Sequence, residues 1–171
     1  FEMFLEPINN CNFDSIINIK FNNILEGFDN YKYIELSPIN KNLKFEDSFI
    51  KTFEEFYDIN EGHLIIDFYK NKLNDDSISF IKENLCKEDN LLFDKIIEMT
   101  NNNDNYYKVN DVKYIKLFIK LCTRELFFIT FYFYKYPVAI WGNYNLQFPL
   151  FYNENSNINQ YVKIAQINKL Y

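Results

Sequence analysis

A single histidine, three cysteines, six serines and three glycines limit the chemistry this chain can perform. Phosphate cradles need clustered glycines, so that backbone N–H groups can close on an anion. Gly27, Gly62 and Gly142 stand alone, so neither a P-loop nor a dinucleotide fingerprint is present. Zinc needs three or four Cys, His or carboxylate ligands at workable spacing. His63 has Glu61 and Asp67 close in sequence, and on a strand Asp67 shares its face. That spacing allows a carboxylate–histidine pair and no metal set. A Ser–His–Asp or Cys–His nucleophile would need His63 as its base. No serine stands in a Gly-x-Ser-x-Gly context, and Cys122 falls on the apolar arc of a helical pattern. A hydrolase using carboxylates alone would draw on Glu54, Glu55, Asp58 and Glu61, but their spacing is that of a wet helix face. No catalytic residue, metal ligand or cofactor is assigned.

Three groups stay as binding candidates. Lys113, Lys116, Lys120 and Arg124 step by three, four and four, a stripe that could grip phosphate or an acidic partner. The segment "WGNYN" places Trp141, Asn143 and Tyr144 at a turn, with the rigid aromatic area that interfaces favour. His63, Arg124 and Glu125 would be the polar groups of a Tyr/Phe-lined pocket, should the fold bring them together.

These residues need elements to hold them. "DSIINIKFNN" alternates Ile17, Ile19 and Phe21 with polar residues and predicts a strand. With a turn at Gly27 and a second strand at "YKYIEL", a hairpin is expected from Asp14 to Leu36. Phe45, Phe49, Phe53 and Phe56 have helical spacing over Leu43 to Asp58, with Glu46, Glu54, Glu55 and Asp58 on the wet side and Gly62 as a C-terminal cap. "HLIIDFY" reads as an interior strand, and helices are expected over Asp75–Leu85, Glu88–Thr100 and Asp111–Arg124. Asn110 is the expected cap of the last of these, and Leu92, Ile96 and Met99 form the apolar face of the middle one. "NNNDN" (Asn101–Asn105) is a loop. Leu126 to Tyr134 is apolar on both faces but far short of the roughly 20 residues a spanning helix requires. It is expected to be a central strand, followed by Val138–Trp141, a Gly142–Asn143 hairpin turn and a return over Tyr144–Phe148 ending at Pro149. Trp141 and Tyr144 would then pair across the strands. The tail from Asn157 fits strand or helix equally.

The fold expected is α+β: one domain over residues 1–171, with an antiparallel or mixed sheet of five to seven strands and helices packed on one face or end. The 26 asparagines and the abundant Lys, Ile, Phe and Tyr are residues of A/T-rich codons, as in an AT-rich bacterial genome. Aromatic abundance is therefore no sign of a ligand site. Cys11, Cys86 and Cys122, with no C-x-x-C, are expected to be reduced core thiols of a cytoplasmic protein. The sequence starts at Phe1 rather than Met, which leaves room for a removed segment such as a signal peptide.

The net charge of −6 divides unevenly. Residues 1–105 carry 10 Lys against 21 acids (−11), and residues 106–171 carry 8 Lys/Arg against 3 acids (+5). The acidic part argues against nucleic acid as partner, and no membrane segment is expected. The profile of a small, acidic, aromatic-rich α+β domain matches many toxin-neutralising immunity proteins as a class, without a shared motif. The function expected is a non-catalytic protein-binding domain of immunity or inhibitor type. It would engage a basic partner through Glu54, Glu55, Asp58, Trp141, Asn143 and Tyr144. The competing expectation is a small-molecule binder or enzyme built around His63, Arg124 and Glu125.

Overall fold

The computed structural model describes residues 3–40 and 45–171, so the expected helix start at Leu43 lies outside the described residues. Seven strands form one antiparallel sheet in the order β1-β4-β3-β5-β6-β7-β2. They are β1 (Leu5–Ile8), β2 (Lys32–Leu36), β3 (Leu64–Asp67), β4 (Tyr106–Val109), β5 (Thr130–Phe133), β6 (Val138–Trp141) and β7 (Phe148–Tyr152). The two-sided apolar patterns of β3 and β5 place both strands in the middle, paired Ile65↔Tyr132 and Ile66↔Phe131, with every residue of each buried.

One face of the sheet carries Ile66, Phe131, Phe133, Ile140 and Leu150 into the main core. Helices α3 (Phe45–Ile59), α4 (Asp75–Glu83), α5 (Lys87–Met99), α6 (Lys113–Thr123) and α7 (Asn159–Ile167) pack their buried residues into that core. Phe49, Phe53 and Phe56 of α3 are fully buried, and Phe53 meets Phe131 edge-on at 4.7 Å. Gly62, at φ +77°, turns the chain from α3 into β3 and donates its N–H to Tyr57 O. Helix α6 packs against α3 and α5 and is buried nearly throughout. Its cationic stripe is mostly consumed inside the molecule. Lys120 pairs with buried Asp89, Lys113 with Asp111, and Arg124 with Glu46.

The opposite face carries Ile65, Tyr132, Ala139 and Phe151, and the segment expected to be the first strand covers it. Residues Asn10–Ile16 form α1 and Ile24–Asn30 form α2, each started by an asparagine: Asn9 accepts from Asn12 N, and Asn23 from Leu25 N and Glu26 N. Ile17 and Ile19 are buried and Phe21 partly so, in an extended stretch that joins no ladder. Their alternation therefore records contact with the sheet surface rather than membership in it. Gly27 is mid-helix, where a Cβ would meet the Phe151 ring at 2.9 Å.

Other expectations are corrected in the same way. Strand β4 lies in "YYKV", which the sequence did not mark. On α5 Ile96 is buried as expected, but Asp89 and Phe93 are buried beside it, while Leu92 and Met99 are only half-buried. Asn110 does not cap α6; Asp111 Oδ1 accepts from Lys113 N (3.0 Å). Gly142–Asn143 is no two-residue turn. Gly142 sits against Cys122 and Ile129 O, and a 3₁₀ turn (Tyr144–Leu146) leads into β7. Pro149 is inside β7, opposite Glu35 of β2, and the β6 ladder reaches only Leu150 and Phe151. No neighbour there requires the N–H that proline lacks. All three cysteines are free, but only Cys122 is core; Cys11 and Cys86 are exposed. The tail resolves as α7.

Candidate functional site

The sequence candidates fall in separate places. His63 Nδ1 lies 2.7 Å from Asn60 O, just past the end of α3, and its ring meets Tyr134 edge-on. Arg124 sits at the other end of α3, donating Nε and Nη2 to Glu46 (3.0 and 2.8 Å) and Nη1 to Asn84 O (2.7 Å). A rise of 1.5 Å per residue separates Glu46 from Asn60 by roughly 20 Å. Glu125, with φ 55°, accepts weakly from Asn145 N. The three therefore do not converge. Asp67 and His63 do not pair either: Asp67 Oδ1 accepts the Thr130 N–H at 2.7 Å.

Trp141 and Tyr144 do not form a common patch. Trp141 leans on Phe21 (5.6 Å) on the α1–α2 face, while Tyr144, 60% exposed, packs against Phe128 beside α6. Asn143 donates to Gln147 O. The acidic candidates also divide. Glu55 accepts a long hydrogen bond from Asn168 near α7. Asp58 turns the other way, into a concavity at the end of α3, and Glu54 stands one turn before it.

That concavity, about 740 Å³, lies where the end of α3, the start of α6 and the start of β1 meet. Sequence-distant segments build it. The β1–β4 ladder, with Asn110 N donating to Phe4 O, fixes Phe4 and Glu6; Phe4 stacks on Tyr114 with ring centroids 3.8 Å apart. Tyr57 donates its hydroxyl to Val109 O at 3.1 Å, tying α3 to β4. The walls are then Phe4, Tyr57 and Val112, with the carboxylates of Glu6, Asp58 and Asp111 around them.

Negative potential is written into this hollow. Among the described residues Glu6 and Asp58 form no salt bridge, though Lys108 faces Glu6 across the β1–β4 ladder, and only Asp111 is paired, with Lys113 (2.9 Å). The Tyr57 hydroxyl is pushed above its usual range by burial and then by Asp111 and Asp58. Burial and then Asp58 raise Glu54, and burial and then Glu6 raise Tyr134. Asp58 lies in the last turn of α3, which has no basic residue there. A helix C-terminus is the negative end of the macrodipole, so this carboxylate is badly placed for stability. At the other end of α3 the acid is compensated. Burial alone would raise Glu46, but hydrogen bonds from Arg124 and Thr123 outweigh it and hold Glu46 below its usual value.

A smaller hollow of about 280 Å³ is lined by Phe13, Phe21, Tyr106 and Tyr132 on the other face of the sheet; it contains none of His63, Arg124 and Glu125. Among the described residues no group of three or more His, Cys, Asp or Glu side chains could hold a metal ion, and no helix is long and apolar enough to cross a membrane. Of the concavity only Asp58 was singled out from sequence. Phe4, Glu6, Tyr57 and Asp111 were missed, because nothing local marks them as neighbours. Comparison with protein-family models, with curated proteins and with solved structures gave no match.

Proposed function

We propose that this chain is a non-catalytic binding protein of inhibitor or immunity type, and that its partner is a basic protein. The observation that carries the reading is the concavity at the end of α3. It combines apolar walls from Phe4, Tyr57 and Val112 with Glu6 and Asp58, which form no salt bridge among the described residues, although Lys108 faces Glu6 across the β1–β4 ladder. A desolvated lysine or arginine side chain supplies the missing charge, and the aromatic walls suit its aliphatic stem or guanidinium plane. Charge complementarity of this kind sets partner choice and encounter rate. Arg124, by contrast, is fully engaged at a helix junction and supports no pocket chemistry.

Affinity capture from the native host tests the reading, with wild-type chain, a Glu6→Lys/Asp58→Lys variant and Glu55→Lys as control. The expected result is a basic protein retained by wild type and by Glu55→Lys, released by salt, and absent from the double variant. Identical proteins retained by all three would sink it.

A further inference from the structure

Strand β2 closes one end of the sheet, with β7 on its inner side and, among the described residues, no strand on its outer side. Along a strand, the peptide groups of alternate residues point to the same side. Ser37 N–H donates to Leu170 O (2.8 Å) and Ile39 N–H to Lys169 O (3.0 Å), away from β7. The odd-numbered residues of this strand therefore face outward. The C-terminal residues cover the edge at Ser37 and Ile39, and among the described residues the N–H and C=O groups of Tyr33 and Glu35 are left open. An open edge is a template for another strand. The opposite edge, β1, carries Pro7, which has no N–H to offer.

We propose that the occupant of this edge is β2 of a second copy of the chain, antiparallel about a two-fold axis through Ile34. An axis perpendicular to the sheet keeps every side chain on its own face, so facing residues must have the same parity. Centring the axis on Tyr33 sets that tyrosine against itself and closes only one pair of hydrogen bonds. Centring it on Glu35 opposes two carboxylates, which repel. Centring it on Ile34 sets Tyr33 against Glu35 of the second copy, twice. All the open groups are then paired, and no like charges are directly opposed.

The surroundings suit this register. Tyr33 is 50% exposed, and Phe28, 39% exposed, packs edge-on against it at 4.7 Å. The axis doubles this apolar patch beside the joined edges, where it would be covered. The half-buried Ile34 meets its own counterpart on the helix-covered face. Each copy brings Lys32, paired with Glu154, and Glu35, so the edge shares the acidic character of a chain that carries −6. Self-association should therefore strengthen with added salt, as the mutual repulsion is screened.

Sedimentation of the full chain over a wide concentration range tests this. The expected mass rises from 20.8 kDa towards twice that value, sooner at higher salt. Glu35→Pro removes an outward donor and blocks the edge without touching the β7 ladder; it should sediment at the single-chain mass with an unchanged circular dichroism spectrum. In a Cys11→Ser/Cys86→Ser background, Ile34→Cys should oxidise to a covalent dimer, because facing residues of a non-hydrogen-bonded pair suit a disulfide. Lys32→Cys, which faces Leu36 of the second copy, should not. The cysteine pair decides the matter even if Glu35→Pro fails to fold. A wild-type chain that stays at single mass throughout, a dimer that survives Glu35→Pro, or equal crosslinking by both cysteine variants overturns the proposal.

Discussion

At the scale of single residues, Asp67 is a carboxyl group that burial makes costly to charge. It closes β3, only 8% exposed, and accepts the Thr130 N–H. Burial pushes its carboxyl up to about 6, against the hydrogen bonds from Thr130 and the charge of Lys72; the hydroxyls of Tyr69, Tyr106 and Tyr132 and the Cys122 thiol lie within its influence. The folded-state value is above the ordinary value of 3.8, so the folded chain binds this proton more tightly than the unfolded chain. The charged form therefore costs stability at pH 7, about 3 kcal/mol for a difference near two pH units. That cost is relieved as pH falls through 6 towards 4. Asp67→Asn keeps an acceptor for Thr130 and removes the charge. It is expected to raise stability at pH 7 by about 2 kcal/mol, with the advantage fading by pH 4, measured by urea denaturation of both proteins at each pH. A variant less stable at pH 7 would mean that the charge is held for something other than packing.

At the scale of elements, the central strand was the most legible feature, because burial on both faces leaves a two-sided apolar run that only an interior position explains, although β5 begins at Thr130 and the expected start at Leu126 falls in the link after α6. Phe131 has no exposed surface and packs on Phe53. Phe131→Ala should cost about 3–5 kcal/mol in chemical denaturation, as for other buried aromatics; a loss below about 1 kcal/mol would place that ring outside the core. The four phenylalanines of α3 were readable for the same reason, since helical spacing and burial coincide at Phe49, Phe53 and Phe56. The N-terminal segment was not. Its alternating isoleucines obey the period of a strand, yet asparagine caps at Asn9 and Asn23 satisfy local backbone donors and give two short helices instead. Gly142 misled in another way. It looks like turn chemistry, but the space around it is the reason for glycine, since a Cβ would meet Cys122 Sγ and Ile129 O at 2.7 Å. The concavity was legible only at Asp58. Glu6, Asp58 and Asp111 are each about fifty residues apart, and long-range strand pairing and helix packing, not any motif, bring them together.

At the scale of the whole molecule, the excess of acid in residues 1–105 has two fates. Some of it is neutralised across the halves of the chain, through Glu46–Arg124 and Asp89–Lys120, where cations of the basic C-terminal part are spent. The remainder is spread over exposed carboxylates such as Asp29, Glu35, Asp75, Asp76 and Glu88, and part of it sits at the end of α3, where Asp58 opposes the helix dipole and crowds Glu54. Stability alone would favour a cation at position 58. Replacing Asp58 by lysine should therefore stabilise the fold slightly, by about 0.3–1 kcal/mol, because a positive charge complements the C-terminal end of a helix. If a basic partner docks in the concavity, the same substitution should weaken it, and this opposition of sign separates a binding surface from a mere solubility device. Long-range charge acts mainly on encounter, over a screening length of about 8 Å at physiological salt. Glu6→Lys/Asp58→Lys is thus expected to slow association with the captured partner by at least tenfold at low salt and to flatten the salt dependence of that rate, as read by stopped flow. Glu55→Lys, on the α7 side of the same helix, should leave both nearly unchanged. Equal association rates for wild type and the double variant at low salt would remove the electrostatic basis of the binding reading, whatever the gain in stability.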